Sequence, residues 1–261
     1  MTRWKASAIH FAISLLVLAV IVGIVVWRWY PPQLFAMAKA GQLLSILAGV
    51  DLVLGPLLTL LVYKHGKKSL KFDLSVIALL QVAAMAFGLL TVWQSRPVYL
   101  VAISDRFRLV FANEIDPASA AQAQAAYRSA PALGPETVAA PLPDDPKRRL
   151  EAMLLAMAGQ EIFLQPAHYV PYPPNDPAFL TRAVPAAQAL ELAAPADREA
   201  WSDALRKYAG VGSLGIMPLQ SSRGSATILL DTGNGRILGY SRLDPWAIIE
   251  ARERRQHQTS R

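Results

Sequence analysis

Few side chains in this 261-residue sequence are equipped for chemistry, and their spacing excludes most of it. Histidine occurs four times, as His10, His65, His168 and His257, and no two fall at metal-ligand spacing. Cysteine is absent, which removes thiol nucleophiles, disulfide exchange and Cys-based metal sites. The Ser-rich stretch "LQSSRGSA" lacks both the Gly-x-Ser-x-Gly order and the strand-turn-helix setting of a hydrolase nucleophile. "GVGSLG", Gly210 to Gly215, formally fits a dinucleotide fingerprint, yet the following "IMPLQSSRG" does not read as the helix that fingerprint must open. No catalytic residue, metal or cofactor is expected, and the chain reads as non-enzymatic.

The one conspicuous ionisable group lies in "GVDLVLGPLLTLLVYKHGKK", residues 49 to 68. Asp51 stands among aliphatic residues, ~20 Å from Lys64 along a helix rising ~1.5 Å per residue. At lipid depth an acid costs ~2.5 to 3.5 kcal/mol, so it must face protein or water. Pro56 cannot donate a backbone hydrogen bond and is expected to free the Leu52 carbonyl and bend the helix. Small residues at Gly49 and Gly55, and at Ala83, Ala84, Ala86 and Gly88, allow close helix approach. Three roles stay open for Asp51: a hydrogen bond within a bundle, reception of a partner's helix together with Gly55 and Pro56, or proton carriage. A single acid without a relay weighs against the last. By residue count Gln81 lies nearer the Lys-rich end than Asp51, and it is not an evident companion.

The elements that must position these residues are three apolar runs, about 9–30, 42–63 and 74–94. Each reaches the ~20 residues that span a bilayer. The first is longer than the apolar core of a signal peptide, and Trp27 to Pro32 separate it from the cleavage-like Ala36 to Ala38. Trp27, Trp29 and Tyr30 suit an interfacial belt. Arg3 and Lys5, with Lys64, Lys67, Lys68 and Lys71 between the second and third runs, place the N-terminus and that loop in the cytoplasm by the positive-inside rule. The same lysines can meet anionic headgroups. Residues 1–97 hold a net charge of +7, leaving the remainder neutral. A neutral domain offers no basic face for nucleic acid.

Residues 98–261 then lie across the membrane. Two β-rich runs, Val98 to Ser104 and Phe107 to Ala112, read as a hairpin, and Thr227 to Leu230 with Arg236 to Tyr240 as a second around "DTGNG". A further strand is expected at Ser213 to Leu219. Helices are expected at Pro117 to Ala130, at Pro146 to Ala158, and over Val184 to Tyr208 with a break near Pro195. The proline-rich Gln165 to Ala178 reads as a surface loop or partner-binding strand, and Ala251 to Arg261 as a fraying tail. The fold class is therefore a membrane protein with three N-terminal transmembrane α-helices followed by an α+β domain whose sheet is mostly antiparallel. Two weaker candidate contacts for a partner are Asp105 with Arg106, which also suit a turn, and Tyr169 with Tyr172, which also suit packing over the domain's own sheet.

The run from Gly49 to Gln81, then "RPVYLVAISDRFRLVFANEID" and a late "DPW", resembles type IV pilin accessory proteins of the TfpX/TfpZ family. The resemblance covers nearly the whole chain and is most specific over residues 49–116. It implies an inner-membrane protein that assists assembly or dynamics of type IV pili, with the major pilin and other inner-membrane pilus assembly components as partners and no enzymatic activity. A pilin, before assembly, is held by an apolar helix in the inner membrane with its head outside. The alternative is a membrane-anchored periplasmic sensor or ligand-binding module with the proline loop as a lid.

Overall fold

A computed structural model describes residues 2–172 and 177–259. The chain divides into two compact units, Met1–Arg96 and Pro97–Arg261.

The first unit is helical: α1 (Arg3–Trp29), α2 (Ala40–Gly49), a π-helical turn over Val50–Leu54, α3 (Gly55–Val62) and α4 (Leu70–Gln94). With the π turn, α2 and α3 form one span of 23 residues, so the unit holds three helices long and apolar enough to cross a membrane. Their outward faces are Leu, Ile, Val and Phe, left exposed as lipid contact requires. Thr2 caps α1 by accepting from the Lys5 N–H. At the opposite end Tyr30 is buried and donates to the Val92 carbonyl at 3.0 Å, and Trp29 meets Trp93 edge-on at 4.8 Å. Of the three residues expected to form an interfacial belt, two thus pin α1 to α4, and Trp27 alone is left 76% exposed.

The second unit is built on an eight-stranded sheet. Its strands are β1 (Pro97–Ile103), β2 (Arg106–Phe111), β3 (Glu136–Ala139), β4 (Val170–Pro171), β5 (Val184–Pro185), β6 (Leu214–Ser221), β7 (Gly224–Asp231) and β8 (Ile237–Ser241). The order is β4-β3-β1-β2-β6-β7-β8, with β5 on the same edge of β6 as β2. Both expected hairpins are present, as β1–β2 and β7–β8, and β6 is the further strand. Most pairings are antiparallel, and two are parallel: β1 with β3 (Tyr99↔Glu136) and β2 with β6 (Phe107↔Leu219). Continuous burial along β1, β6 and β7 shows a sheet covered on both faces. Val98, Val101, Val138, Tyr127, Phe163 and Tyr169 make one core, and Val184, Trp201, Leu205, Ile216, Leu229 and Ile248 another.

The helices of this unit are α5 (Pro117–Gln122), α6 (Pro146–Met157), α7 (Pro177–Leu180), α8 (Ala186–Leu192), α9 (Arg198–Arg206) and α10 (Trp246–Thr259). Three expectations change here. The helix expected to Ala130 stops after one and a half turns, because Ala123 turns extended and buries itself, letting Tyr127 enter the core from a 3₁₀ turn. The proline-rich stretch carries a 3₁₀ turn at Pro166–His168 and the short strand β4, while its residues 173–176 lie outside the described residues. The tail expected to fray from Ala251 is helical to Thr259. Ile248 anchors α10 in the core, the Trp246 N–H donates to Asp244, and Arg252 donates to the carbonyls of Arg182 and Ala183.

Candidate functional site

Asp51 is the twelfth of the 23 residues in its span, at mid-depth, and is only 4% exposed. The π turn that holds it is a form of helix found mostly as single turns at functional sites. It precedes Pro56, whose ring cannot sit in a regular α-helical ladder. The carbonyl of Pro56 accepts from Ser7 Oγ on α1 at 2.9 Å.

Around the acid a polar chain joins all three spans. His10 Nδ1 lies 2.5 Å from Thr59 Oγ1, and His10 Nε2 lies 2.7 Å from Gln81 Oε1. An amide oxygen only accepts, so His10 Nε2–H donates to Gln81, while Nδ1 faces the Thr59 hydroxyl. The Gln81 amide is in turn the hydrogen-bonding neighbour of Asp51. Asp51 Oδ2 is buried without a hydrogen-bond partner. Among the described residues it is the sole buried acceptor so placed; the other such atoms are arginine Nε.

Gln81 corrects a sequence expectation. Residue count put it one side of Asp51, but a Cβ on Gly55 would stand 2.1 Å from Gln81 Nε2. The amide lies in the space that the missing side chain vacates, and from there spans the single helical turn between Gly55 and Asp51. Gly55 and Pro56, expected beside Asp51 as a docking surface, are buried inside the bundle by α4 and α1. The signal for this cluster was present in the spacing: Asp51, Gly55 and Thr59 repeat every four residues, and Ser7 and His10 are three apart, so each set shares a face.

What does open to the side is a groove of about 410 Å³ between α2 and α4, with Asp51 at one end and apolar walls that include Ile46, Val50, Ala84 and Phe87. It narrows where Leu47 seats on Gly88, whose Cβ would come within 2.5 Å of Leu47 Cδ1. The groove thus presents apolar walls beside the buried Asp51. Lys64, Lys67 and Lys68 are exposed on the loop joining α3 to α4 and Lys71 in the first turn of α4, with Lys67 paired to Asp73 at 2.7 Å.

In the sheet unit the remaining candidates are engaged internally. Asp105 and Arg106 form a bidentate pair, both bonds 2.8 Å, which holds the Asp105 carboxyl below its ordinary value. Arg106 also lies over the Trp246 ring at 4.8 Å, so the "SDRF" turn and the late "DPW" meet. Tyr169 is fully buried and donates to the Phe163 carbonyl; burial pushes its phenol up. Its ring is core, as packing over the sheet required, and is not offered to a partner. Tyr172 packs between Phe107 and Phe179 and donates to the Gly235 carbonyl at 3.0 Å.

Against known sequences, the chain is 32% identical over 114 residues to a fimbrial assembly protein of serogroups C1 and C2 from Dichelobacter nodosus, covering 86% of that protein and 42% of this chain. The chain belongs to the fimbrial assembly protein family. A serogroup I fimbrial assembly protein from the same organism is 27% identical over 248 residues, 94% of this chain and 96% of the relative. A serogroup E1 counterpart is 29% identical over 171 residues, 64% of this chain and 66% of the relative. No protein-family model matches the chain, and no solved structure does. The similarity to the serogroup I protein is long enough to run through both units.

Proposed function

We propose that this chain is a non-enzymatic accessory protein of the inner membrane that assists assembly or dynamics of type IV pili by engaging the cognate major pilin. Its N-terminus and Lys-rich loop face the cytoplasm, by the distribution of positive charge, and its sheet unit faces the periplasm. The observation that carries this reading is the similarity, nearly end to end, to a fimbrial assembly protein. The groove supplies a mechanism. An unassembled pilin held by an apolar helix would lay that helix between α2 and α4, parting them so that Asp51 Oδ2, buried in the bundle as it stands, accepts one hydrogen bond from it. Each such bond is worth ~0.6 to 2 kcal/mol in a bilayer. A second contact from the sheet unit to the pilin head would gain from the raised effective concentration.

The test is photocrosslinking in cells from Ile46, Ala84 and Phe87, combined with Asp51→Asn and Asp51→Leu. Capture of pilin at these positions is expected, with surface pili lost in Asp51→Leu while pilin and the accessory protein persist. No pilin captured from any of the three positions would remove the docking reading and return the anchored sensor to consideration. Loss of the accessory protein itself in both variants would assign Asp51 to bundle stability alone.

A further inference from the structure

A separate feature of the sheet unit points to the lipid surface. Among the described residues, every exposed large apolar side chain of this unit lies between Leu133 and Met157. Most belong to α6, which buries none of its residues. Leu150, Met153, Leu154 and Met157 are 58, 54, 58 and 87% exposed, and their i, i+3, i+4, i+7 spacing aligns them in one stripe. At the start of the same helix stand Lys147, Arg148 and Arg149, against Glu151 as the helix's one acid. Asp145 caps α6 through the Arg148 N–H at 2.8 Å, and Arg149 donates to the Pro143 carbonyl at 3.0 Å. The helix is thus fixed at its base and unpartnered along its outer face.

We propose that α6 is an interfacial helix that rests on a bilayer containing anionic lipid, its Leu and Met side chains entering the headgroup boundary and its basic turn meeting phosphate. Three observations favour lipid over a protein partner. Cationic residues beside a Leu/Met stripe are the composition of helices that lie in the interface plane. Four side chains are few for a standard protein interface, which takes roughly 20 to 30 residues a side. Finally, the chain carries three helices long and apolar enough to cross a membrane, so the protein is itself held at a bilayer. The inference does not depend on the pilin reading.

The chain has no cysteine, which makes the test direct. The full-length protein, reconstituted in phosphatidylcholine vesicles with or without a quarter phosphatidylglycerol, carries an environment-sensitive fluorophore on Leu154→Cys or, as a control on α9, Glu199→Cys. The expected result is a blue-shifted Leu154→Cys probe, quenched by spin-labelled lipid and shielded from aqueous quencher, with the control showing the reverse. Neutralising Lys147, Arg148 and Arg149 to Gln should lower the lipid quenching by ~threefold or more in the anionic vesicles and little in the neutral ones. Because α6 buries no side chain, these substitutions leave the core intact, and unchanged protease resistance of the sheet unit checks that. A Leu154→Cys probe as open to aqueous quencher as the control would overturn the proposal. So would shielding that arises only when pilin is added, or that disappears on diluting the protein among more vesicles, since those outcomes assign the stripe to a protein partner or a second copy.

Discussion

Three carboxyl groups separate the two units. In the sheet unit Asp105 takes both bonds of its neighbour Arg106, and Asp231 accepts from the Gly233 N–H and Asn234 within its own turn and from Ser213 just before the adjacent strand β6. Both are held below the ordinary carboxylate range, Asp105 by Arg106 and Asp231 chiefly by Ser213. In the helical unit Asp51 gathers its polar neighbourhood from three spans and still keeps one oxygen unpartnered. Acids near water are satisfied locally and set turns. The acid at lipid depth is satisfied only in part, with Oδ2 left unpartnered.

That contrast can be broken or sharpened in order of effect. The largest change should come from Phe107→Ala, since the ring is fully buried against Tyr172 and Phe179. A loss of about 3 to 5 kcal/mol is expected, read as protease sensitivity of the sheet unit in detergent-solubilised protein whose helical content is retained. Parallel loss of both units would mean that they do not fold separately.

Next comes Gly55→Leu, which drives a side chain into Gln81 and should cost about 1 to 3 kcal/mol in SDS-induced unfolding of the bundle. Gly49→Leu is the matched control, because nothing stands within 4 Å of its Cβ position. Equal effects at the two glycines would undo the account of Gln81. Smaller still is the coupling between His10 and Gln81: a double-mutant cycle to Leu should return about 0.6 to 2 kcal/mol, and strict additivity would deny the polar chain.

The smallest effect belongs to Asp105→Asn, worth under ~1 kcal/mol for a half-exposed ion pair. The folded carboxyl sits below its unfolded value of about 3.9, so its stabilisation is complete above that pH and is lost as pH falls through the folded value. Wild type and Asp105→Asn should therefore differ near neutrality and converge in acid; a gap that widens in acid would contradict the ion pair.

Much of the architecture was legible beforehand. Runs of twenty apolar residues admit few solutions in a bilayer, and β-rich runs flanking "SDR" and "DTGNG" specify hairpins whose partners are adjacent in sequence. The parallel joins were not legible. Tyr99 meets Glu136, and Phe107 meets Leu219, across long stretches of intervening chain, and nothing local announces such a pairing. Tyr169 was ambiguous for a related reason: a Tyr in a proline-rich loop reads equally as grip or as core until the sheet above it is placed.

By itself the sequence determined which segments leave water, where the positive charge sits and that an acid lies at mid-span, because hydrophobicity and charge act residue by residue. Only the tertiary structure decided what surrounds that acid. Depth along a helix is counted in one dimension, whereas the absent side chain of Gly55 lets Gln81 cross between helices, and burial against α1 and α4 takes Gly55 and Pro56 out of reach while the groove beside Asp51 stays open.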